Sequence, residues 1–250
     1  SQISFTLKIC RMLFDNVRVL VTGGTRGIGK AISQKLLNQG AEVVVTGSGE
    51  TDSGWWDESV GCSYVKVDFS DKIELDDFCR EVEKESFTRL VNNVGIFRNE
   101  KSLGFGDDFE VVLQVNVMAA NALSNAFARK ISVRDQGRVV NISSIASFVT
   151  RKGISAHSTS KAALSGLTRA QALDFADSGI LVNAVCPSYT ETDMLRSLCK
   201  EKQAELLEKI PLGRFCKAEE IAELTSFLLS EENTYITGQN LIIDGGVTIK

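Results

Sequence analysis

The chain is poor in the residues that mark several common kinds of site. It has one histidine, two prolines and six cysteines in 250 residues, and no two cysteines form a C-x-x-C pair. No histidine stands near any cysteine in the sequence, which argues against a zinc site and against a disulfide framework. We therefore predict reduced thiols and no metal site.

The distribution of charge argues against a second class of protein. The net charge is −4 and no run is rich in Lys or Arg, so nucleic acid is not expected as a partner. No uninterrupted apolar run reaches the ~18 residues that span a bilayer, and Lys8 and Arg11 interrupt the apolar start of the chain. We expect no signal peptide, no membrane contact and a cytoplasmic location.

The apolar residues that are present follow a regular plan. They make up 43% of the chain, and short runs rich in Val and Ile alternate with helical patterns. Such runs are typical of strands buried on both faces. The alternation predicts an α/β fold with a doubly wound (Rossmann) parallel sheet of seven strands and helices on both faces. The predicted strands are 17–23, 41–47, 62–68, 88–95, 137–144, 180–187 and 239–246.

No linker, repeat or low-complexity tract divides the chain. We predict one dinucleotide-binding and catalytic domain over residues 1–250, with residues 1–14 as an N-terminal extension. One segment, 48–61, lacks helical periodicity where a crossover helix is expected. There the adjacent Trp55 and Trp56 are predicted to cover a face of the sheet.

A glycine-rich turn stands between the first strand and the first helix. The stretch VTGGTRGIGKAI places Gly23, Gly27 and Gly29 there. Glycines at these positions permit a tight turn, close approach of the backbone to a pyrophosphate, and close packing of helix on strand. The helix N-terminus then directs unpaired N–H groups at the phosphates. The turn predicts a dinucleotide site.

The end of the second strand distinguishes between two dinucleotides. NAD enzymes usually carry Asp or Glu there to hold the ribose 2′-hydroxyl. This chain has Thr46, Gly47 and Ser48, and no carboxylate until Glu50. Because a carboxylate would repel a 2′-phosphate, its absence favours NADP(H), with Arg26 as the opposing charge and Ser48 as a hydroxyl donor.

Seven motifs, in order and spacing, resemble the short-chain dehydrogenase/reductase family, in particular its 3-oxoacyl acyl-carrier-protein reductases. They are TGGTRGIG, NNVG at 92–95, Asn116, the serines at 143–144, S-x-S-K at 158–161, PSYTETDM at 187–194 and the segment 211–246. The resemblance extends over residues 15–250. It implies an NADP-dependent oxidoreductase that interconverts a carbonyl and a secondary alcohol, with a 3-oxoacyl thioester as a candidate substrate.

The resemblance also implies roles for single residues. Ser144 is expected to polarise the substrate carbonyl, Lys161 to bind the nicotinamide ribose, and Asn116 to hold a water beside that lysine. Asp68 and Phe69 correspond to a pair that contacts adenine. The residues expected to bind the cofactor are Gly23, Thr25, Arg26, Gly27, Ile28, Gly29, Ser48, Asp68, Phe69, Asn93, Gly95, Lys161, Pro187, Thr190 and Thr192.

The chain departs from the family at the proton donor. His157 stands thirteen residues after Ser144 and four before Lys161, where the family has tyrosine. An imidazole is shorter than a phenol, its ordinary pKa is near 6.5 rather than about 10, and a nearby ammonium lowers it further. On a helix His157 and Lys161 share one face, so we expect the imidazole in the catalytic pocket.

This departure leaves two functions open. In the first, the neutral imidazole is the acid or base of an NADP-dependent reaction between a carbonyl and an alcohol. In the second, the chain is a non-redox or catalytically weakened nucleotide-binding protein, such as a partner or sensor subunit, or uses His157 without hydride transfer. Ser188, where the family usually has Gly, favours the second.

Partners of the chain are expected to be a small-molecule substrate and other copies of itself. Asp174 and Asp177 beside Arg169 would weaken the docking of an acidic carrier protein. Two interpretations of Arg129, Lys130 and Arg134 at the neighbouring helix end stay open: they offset this effect, or they form a solvated face. A free carbonyl compound or a coenzyme A ester therefore stays open as a substrate. The long helix that contains KAALSGLTRAQAL is rich in small and apolar residues, which predicts a homotetramer or homodimer.

Overall fold

Strands and helices alternate along the chain in a computed structural model that describes residues 12–50, 55–98 and 107–250. The strands are β1 (Arg18–Val21), β2 (Glu42–Gly47), β3 (Cys62–Lys66), β4 (Arg89–Asn92), β5 (Arg138–Ile142), β6 (Leu181–Pro187) and β7 (Asn240–Ile243). The helices are α1 (Gly27–Asn38), α2 (Lys72–Val82), α3 (Asp107–Leu113), α4 (Ala119–Ala128), α5 (Ser155–Asp174), α6 (Asp193–Arg196), α7 (Lys200–Leu207) and α8 (Ala218–Leu229).

The strands form one parallel sheet in the order β3-β2-β1-β4-β5-β6-β7. The direction of winding reverses between β1 and β4, and in such sheets the ligand crevice opens beyond the carboxyl ends of the strands at that point. The predicted doubly wound sheet of seven parallel strands is therefore confirmed. Several strands end earlier than predicted; β4 stops at Asn92 because the N–H groups of Asn93 and Val94 bond to Thr22 Oγ1 instead.

Helices cover both faces of the sheet. Along β1, Leu20 points into a buried cluster with side chains of α2, α4 and α5, whereas Val19 and Val21 point into a cluster with α1 and α8. All three side chains are fully buried. Burial on both sides explains why the strands read as continuous apolar runs instead of alternating ones.

Phe14 and the two adjacent tryptophans pack at the edge of the domain. Phe14, assigned to an N-terminal extension, is fully buried in the cluster beneath α1 and α8, and its N–H bonds to the carbonyl of Gln39 at 2.9 Å. The domain therefore begins no later than Phe14. Trp55 and Trp56 pack against that same cluster, as predicted.

The helix before β5 is long and apolar. The run Asp108–Ala128 has the length and mean hydropathy, 1.3, of a membrane-spanning helix, which the sequence was not expected to contain. Half of that window is buried, and Ala119, Leu123 and Phe127 belong to the core cluster beneath α2 and α5. Its apolar character is therefore accounted for by packing in the core.

The cysteines lie scattered through the fold. Cys62, Cys79, Cys186, Cys199 and Cys216 are free thiols, and Cys10 lies outside the described residues. Within the described ranges, no three His, Cys, Asp or Glu side chains come close enough to hold a metal ion.

Candidate active site

The glycine-rich turn follows β1 at the point where the sheet reverses direction. Gly23 has φ of +63°, and a Cβ there would lie 3.0 Å from Val94 Cα. A Cβ on Gly29 would overlap the carbonyl oxygen of Gly23 and the amide of Asn93. At Gly27, with φ of +54°, a Cβ would lie 3.3 Å from the methyl group of Thr192. These positions therefore favour glycine, which lets the turn pack tightly on the end of β4 and on the loop after β6.

Asn93 holds this turn in place. Its Nδ2 donates hydrogen bonds to the carbonyls of Thr22 and Gly23, each at 2.9 Å. Thr22 Oγ1 in turn accepts from the N–H groups of Asn93 and Val94 at 3.0 Å. The Asn93 amide is thus committed to fixing the turn between the ends of β1 and β4, and its contact with the cofactor stays a prediction.

The end of β2 lies beside the same turn. Thr46 Oγ1 accepts a hydrogen bond from the N–H of Gly23 at 3.2 Å, and a Cβ on Gly47 would meet the methyl of Thr25 at 2.8 Å. Ser48 is exposed, and Glu50 forms an ion pair with Lys66. The strand end therefore carries no unpaired carboxylate among the described residues. Arg26, the residue before α1, is exposed nearby.

The pair after β3 is Asp68 and Phe69. Phe69 is buried in the core and its ring packs edge-to-face on Phe78, with centroids 6.0 Å apart. The Asp68 carboxylate accepts from the N–H and hydroxyl of Ser70, at 2.9 and 2.7 Å. Because the Phe69 ring lies in the core, the expected contact of this residue with adenine would use its backbone; the adenine contacts of Asp68 and Phe69 stay predictions.

Lys161 is buried below the carboxyl end of β5. Its Nζ donates to the carbonyl of Ile142 at 2.7 Å, and a Cβ on Gly95 would lie 3.6 Å from that nitrogen. Burial lowers the pKa of Lys161 to about 8, which a nearby Cys186 opposes. The ammonium therefore remains largely charged at neutral pH.

Asn116 connects the loop after β4 to α5. It lies in a π-turn, Gln114–Met118, between α3 and α4; such turns occur often at functional sites. Its Oδ1 accepts from the N–H of Ile96 at 2.8 Å, and its Nδ2 donates to the Ile96 carbonyl and to Ser160 Oγ at 3.1 and 2.9 Å. Its side chain thereby positions the loop; the predicted water beside Lys161 stays a prediction.

His157 lies one helical turn before Lys161 on α5, as the spacing predicts. Its Nδ1 is buried and has no hydrogen-bond partner, and Phe97 packs edge-to-face against the ring with centroids 5.3 Å apart. Burial, then the charges of Lys161 and Arg151, lower the pKa of His157 to about 4. At neutral pH the imidazole is therefore uncharged.

Ser144 lies two residues after β5 and begins a 3₁₀ turn, Ile145–Ser147, that packs against α5. Its Oγ accepts a hydrogen bond from the N–H of Ala146 at 3.1 Å. The hydroxyl proton is then available to a substrate oxygen. Ser144, His157 and Lys161 therefore come from the same strand end and the helix packed on it.

The loop after β6 closes the other side of the crevice. Pro187 ends the strand, and Ser188 donates from N–H to the Ile243 carbonyl at 3.2 Å and from Oγ to the Asp244 carbonyl at 3.2 Å. Thr190 Oγ1 donates to the Ser188 carbonyl at 3.0 Å. The contact of Thr192 with Gly27 brings this loop to the glycine turn, next to Ile28.

Several residues of the site gave no signal in the sequence. Phe97 contacts His157 but follows the strand in a stretch without periodicity. Ser160 links the Asn116 amide to the His157 carbonyl, to which its Oγ donates at 2.8 Å. A polar residue inside a helix does not by itself indicate a role in a site; its role becomes visible only when its neighbours in space are known.

A doubly wound sheet with a glycine turn at its reversal point, and Ser144, His157 and Lys161 beside it, defines a dinucleotide-dependent oxidoreductase. A sequence profile described as enoyl-(acyl carrier protein) reductase matches residues 23–248. The chain is 38% identical over 240 residues to 3-oxoacyl-[acyl-carrier-protein] reductase FabG of Aquifex aeolicus, over 91% of this chain and 96% of that protein. It belongs to the short-chain dehydrogenase/reductase family.

Solved structures resemble the chain over nearly its full length. A gluconate 5-dehydrogenase from Burkholderia cenocepacia, in complex with NADP and tartrate, superposes with a TM-score of 0.87 at 29% identity, over 96% of this chain and 98% of that one. A putative 2-deoxy-D-gluconate 3-dehydrogenase from Agrobacterium tumefaciens with bound NADP gives 0.85 at 32% identity, over 96% and 100%. These relatives share a fold while their names refer to different substrates.

Proposed function

We propose that the chain is an NADP(H)-dependent oxidoreductase that interconverts a secondary alcohol and a carbonyl, with His157 as the group that moves the proton. The observation that carries the proposal is the placement of His157. An uncharged imidazole lies a single helical turn from a buried ammonium, on the helix that packs against the 3₁₀ turn begun by Ser144.

The crevice fits a dinucleotide that carries a 2′-phosphate. The absence of a side chain at Gly23 and Gly29 lets the turn pack tightly against Val94 and Asn93, where a Cβ would collide. The N-terminus of α1 points at the same place and favours anions. Among the described residues, the strand end beside it has no carboxylate without an ion-pair partner, and Arg26 is exposed there, which supports NADP(H) over NAD(H).

Proton movement at His157 follows from its charge state. The bound nicotinamide supplies the hydride acceptor or donor, which the side chains of the chain lack. During alcohol oxidation, the Ser144 hydroxyl orients the substrate oxygen and Nε2 of His157 accepts the proton released from it. Carbonyl reduction needs the reverse, a proton on Nε2 of an imidazolium, because a neutral imidazole that donates would become a strongly basic anion.

The surroundings of His157 favour oxidation. With a pKa of about 4, the imidazole is ready to accept a proton throughout the neutral range. A relay that reprotonates the ring from behind would need a donor at Nδ1, and none of the described residues supplies one. We infer that alcohol oxidation is the faster direction at neutral pH.

Charges around the cleft favour a small anionic substrate over a carrier protein. Arg129, a candidate docking residue for an acidic carrier, is ion-paired with Glu83. At the cleft, Thr150 and Ser158 share a hydrogen bond of 2.7 Å, which holds the exposed Arg151 close to His157. Arg151 has no ion-pair partner among the described residues, so it is available to a substrate carboxylate.

The experiment compares substrates and directions with purified protein. Gluconate with NADP⁺ and a 3-oxoacyl thioester with NADPH are followed by nicotinamide absorbance, and NADPH binding is measured separately by fluorescence. We expect NADPH to bind, gluconate or another hydroxy acid to be oxidised, and His157→Phe to abolish turnover while binding persists. Unchanged turnover in His157→Phe would remove this residue from the mechanism.

The non-redox alternative predicts a different result. Tight NADPH binding with no hydride transfer in either direction, for a panel of hydroxy acids and thioesters, would favour a nucleotide-binding subunit. Turnover that appears in His157→Tyr but not in the natural chain would show that this position alone limits the chemistry.

The chain is also proposed to form a homo-oligomer. Ala162, Ala163, Ala170 and Leu173 are exposed along one side of α5, a small and apolar surface suited to close helix packing. A molar mass of two or four chains by light scattering at micromolar concentration is expected. A monomer would contradict the proposal.

A further inference from the structure

The segment between β2 and β3 contacts the glycine turn through a tryptophan. Trp55 Nε1 donates a hydrogen bond to the carbonyl of Thr25 at 3.1 Å. The ammonium of Lys30, in the first turns of α1, lies 5.8 Å from the centre of the Trp55 ring. One indole therefore lies against Thr25, the residue before Arg26, and against Lys30, one helical turn after it.

Neighbouring aromatic rings fix this indole in place. Trp56 packs edge-to-face on Trp55, with centroids 6.1 Å apart, and stacks on Tyr64 at 4.7 Å. The Tyr64 hydroxyl donates to the Gly47 carbonyl at 3.0 Å, and it also contacts the Gly49 carbonyl. The aromatic group thus spans from the end of β2, where a 2′-phosphate is expected, to the glycine turn.

The charges beside this indole are positive and unpaired. Arg26 and Lys30 lie one helical turn apart, joined by the bond from the Lys30 N–H to the Arg26 carbonyl at 3.1 Å. Neither has a carboxylate partner among the described residues, and the acidic residue of this strand end, Glu50, is paired with Lys66. Two free cations on one helical turn favour a doubly charged anion.

We propose that Lys30 is a second cation for the cofactor 2′-phosphate, beside Arg26, and that Trp55 is the positioning residue that holds both in place. The inference rests on the proposed NADP(H) function and adds two residues to it. Trp55 fixes the Thr25 carbonyl in a turn whose glycines give it wide backbone freedom. Its ring also provides a surface for the Lys30 side chain, which otherwise samples many rotamers.

The test measures binding of fragments that lack the nicotinamide. Adenosine 2′,5′-bisphosphate and 5′-AMP are titrated by calorimetry into the full chain and its variants, together with NADPH and NADH. The variants are Lys30→Gln, Trp55→Phe and Trp56→Phe, the last of which leaves Trp55 as the one indole. The control is Lys35→Gln, on the same helix as Lys30, whose lysine is paired with Glu223 of α8. Thermal melting of each variant checks that it folds.

Each variant has its own expected result. Lys30→Gln is expected to weaken adenosine 2′,5′-bisphosphate and NADPH about tenfold and to leave 5′-AMP and NADH unchanged, since these two lack the 2′-phosphate. Trp55→Phe keeps a ring but loses the N–H, and is expected to weaken NADPH about three- to tenfold. The control Lys35→Gln should bind as the natural chain does. In Trp56→Phe the remaining indole emission should change when adenosine 2′,5′-bisphosphate binds.

The outcomes separate this inference from the proposed function. If the natural chain binds NADPH and Lys30→Gln and Trp55→Phe bind it equally well, the inference is overturned while the function stands. Equal losses of NADPH and NADH in Lys30→Gln would also overturn it, because they would indicate a general disturbance of α1. If the natural chain binds neither dinucleotide, the proposed function fails, and the inference with it.

Discussion

The charge of His157 predicts opposite pH profiles for the two directions of the reaction. A group with a pKa of about 4 is protonated in roughly one molecule in a thousand at pH 7. Oxidation uses the neutral form, so kcat/KM for the alcohol should be constant from pH 7 down to about 5 and reach half its plateau near 4. Reduction uses the imidazolium, so its kcat/KM should rise about tenfold for each unit of pH lowered over that range.

These two profiles agree with the overall equilibrium. Oxidation of an alcohol by NADP⁺ releases one proton, so the ratio of the two directions must change tenfold per pH unit. Burial and the charges of Lys161 and Arg151 keep the imidazole neutral, so kcat/KM for oxidation should not change over this pH range. The tenfold change per pH unit should therefore appear in kcat/KM for reduction alone.

Initial rates in both directions, at saturating cofactor and in buffers of constant ionic strength, test this assignment. The stability of the protein at each pH is checked by recovery of activity after return to pH 7. A midpoint near 6.5 in the oxidation profile would show that the ring is solvated and would refute the reasoning from burial. If the rate of reduction does not change between pH 5 and 7, another group donates the proton.

Three further predictions concern folding and binding. Folding lowers the pKa of His157 from 6.5 to about 4, so the unfolded chain binds more protons than the folded chain between these pH values. As pH falls through that window, the free energy of unfolding of the natural chain should therefore decrease by about 3 kcal/mol relative to that of His157→Phe, measured by urea unfolding. Gly29→Ala should abolish NADPH binding in a fluorescence titration, whereas Gly49→Ala, with nothing within 4 Å of its Cβ, should not. Asn116→Ala leaves both polar backbone groups of Ile96 without their partner; we expect a loss of about 2–3 kcal/mol, seen as a lower melting temperature, and slower turnover.

The sheet was predictable because its signal is local. A strand buried on both faces must be apolar throughout, so β1, β2 and β6 are visible in the sequence without knowledge of what packs on them. The spacing of His157 and Lys161 likewise fixes a common face on any helix. Features of this kind depend only on residues that are close together in the sequence, so they can be predicted from it.

Other features depend on neighbours distant in the sequence. Phe69 follows a strand at a position typical of ligand contact, yet its ring packs against Phe78 in the core. The bond from Trp55 to Thr25 joins two segments 30 residues apart. The sequence predicted that the tryptophans cover the sheet, but only the packing reveals that one of them also holds the glycine turn.

The surroundings of position 157 have opposite effects on an imidazole and a phenol. A nearby ammonium lowers the pKa of either group. For a phenol this moves the proton toward release at neutral pH and makes it a better donor; for the imidazole of His157 it removes the cationic form, which is the donor. The same pocket therefore makes an acid of tyrosine and a base of histidine.

His157→Tyr should accordingly accelerate carbonyl reduction near pH 7 relative to the natural chain, provided that Phe97, whose ring packs on the imidazole at 5.3 Å, shifts to admit the longer side chain. Paired reduction assays of His157→Tyr and of His157→Tyr combined with Phe97→Ala test both parts of this argument. Reduction no faster than in the natural chain in either variant would show that the proton comes from elsewhere.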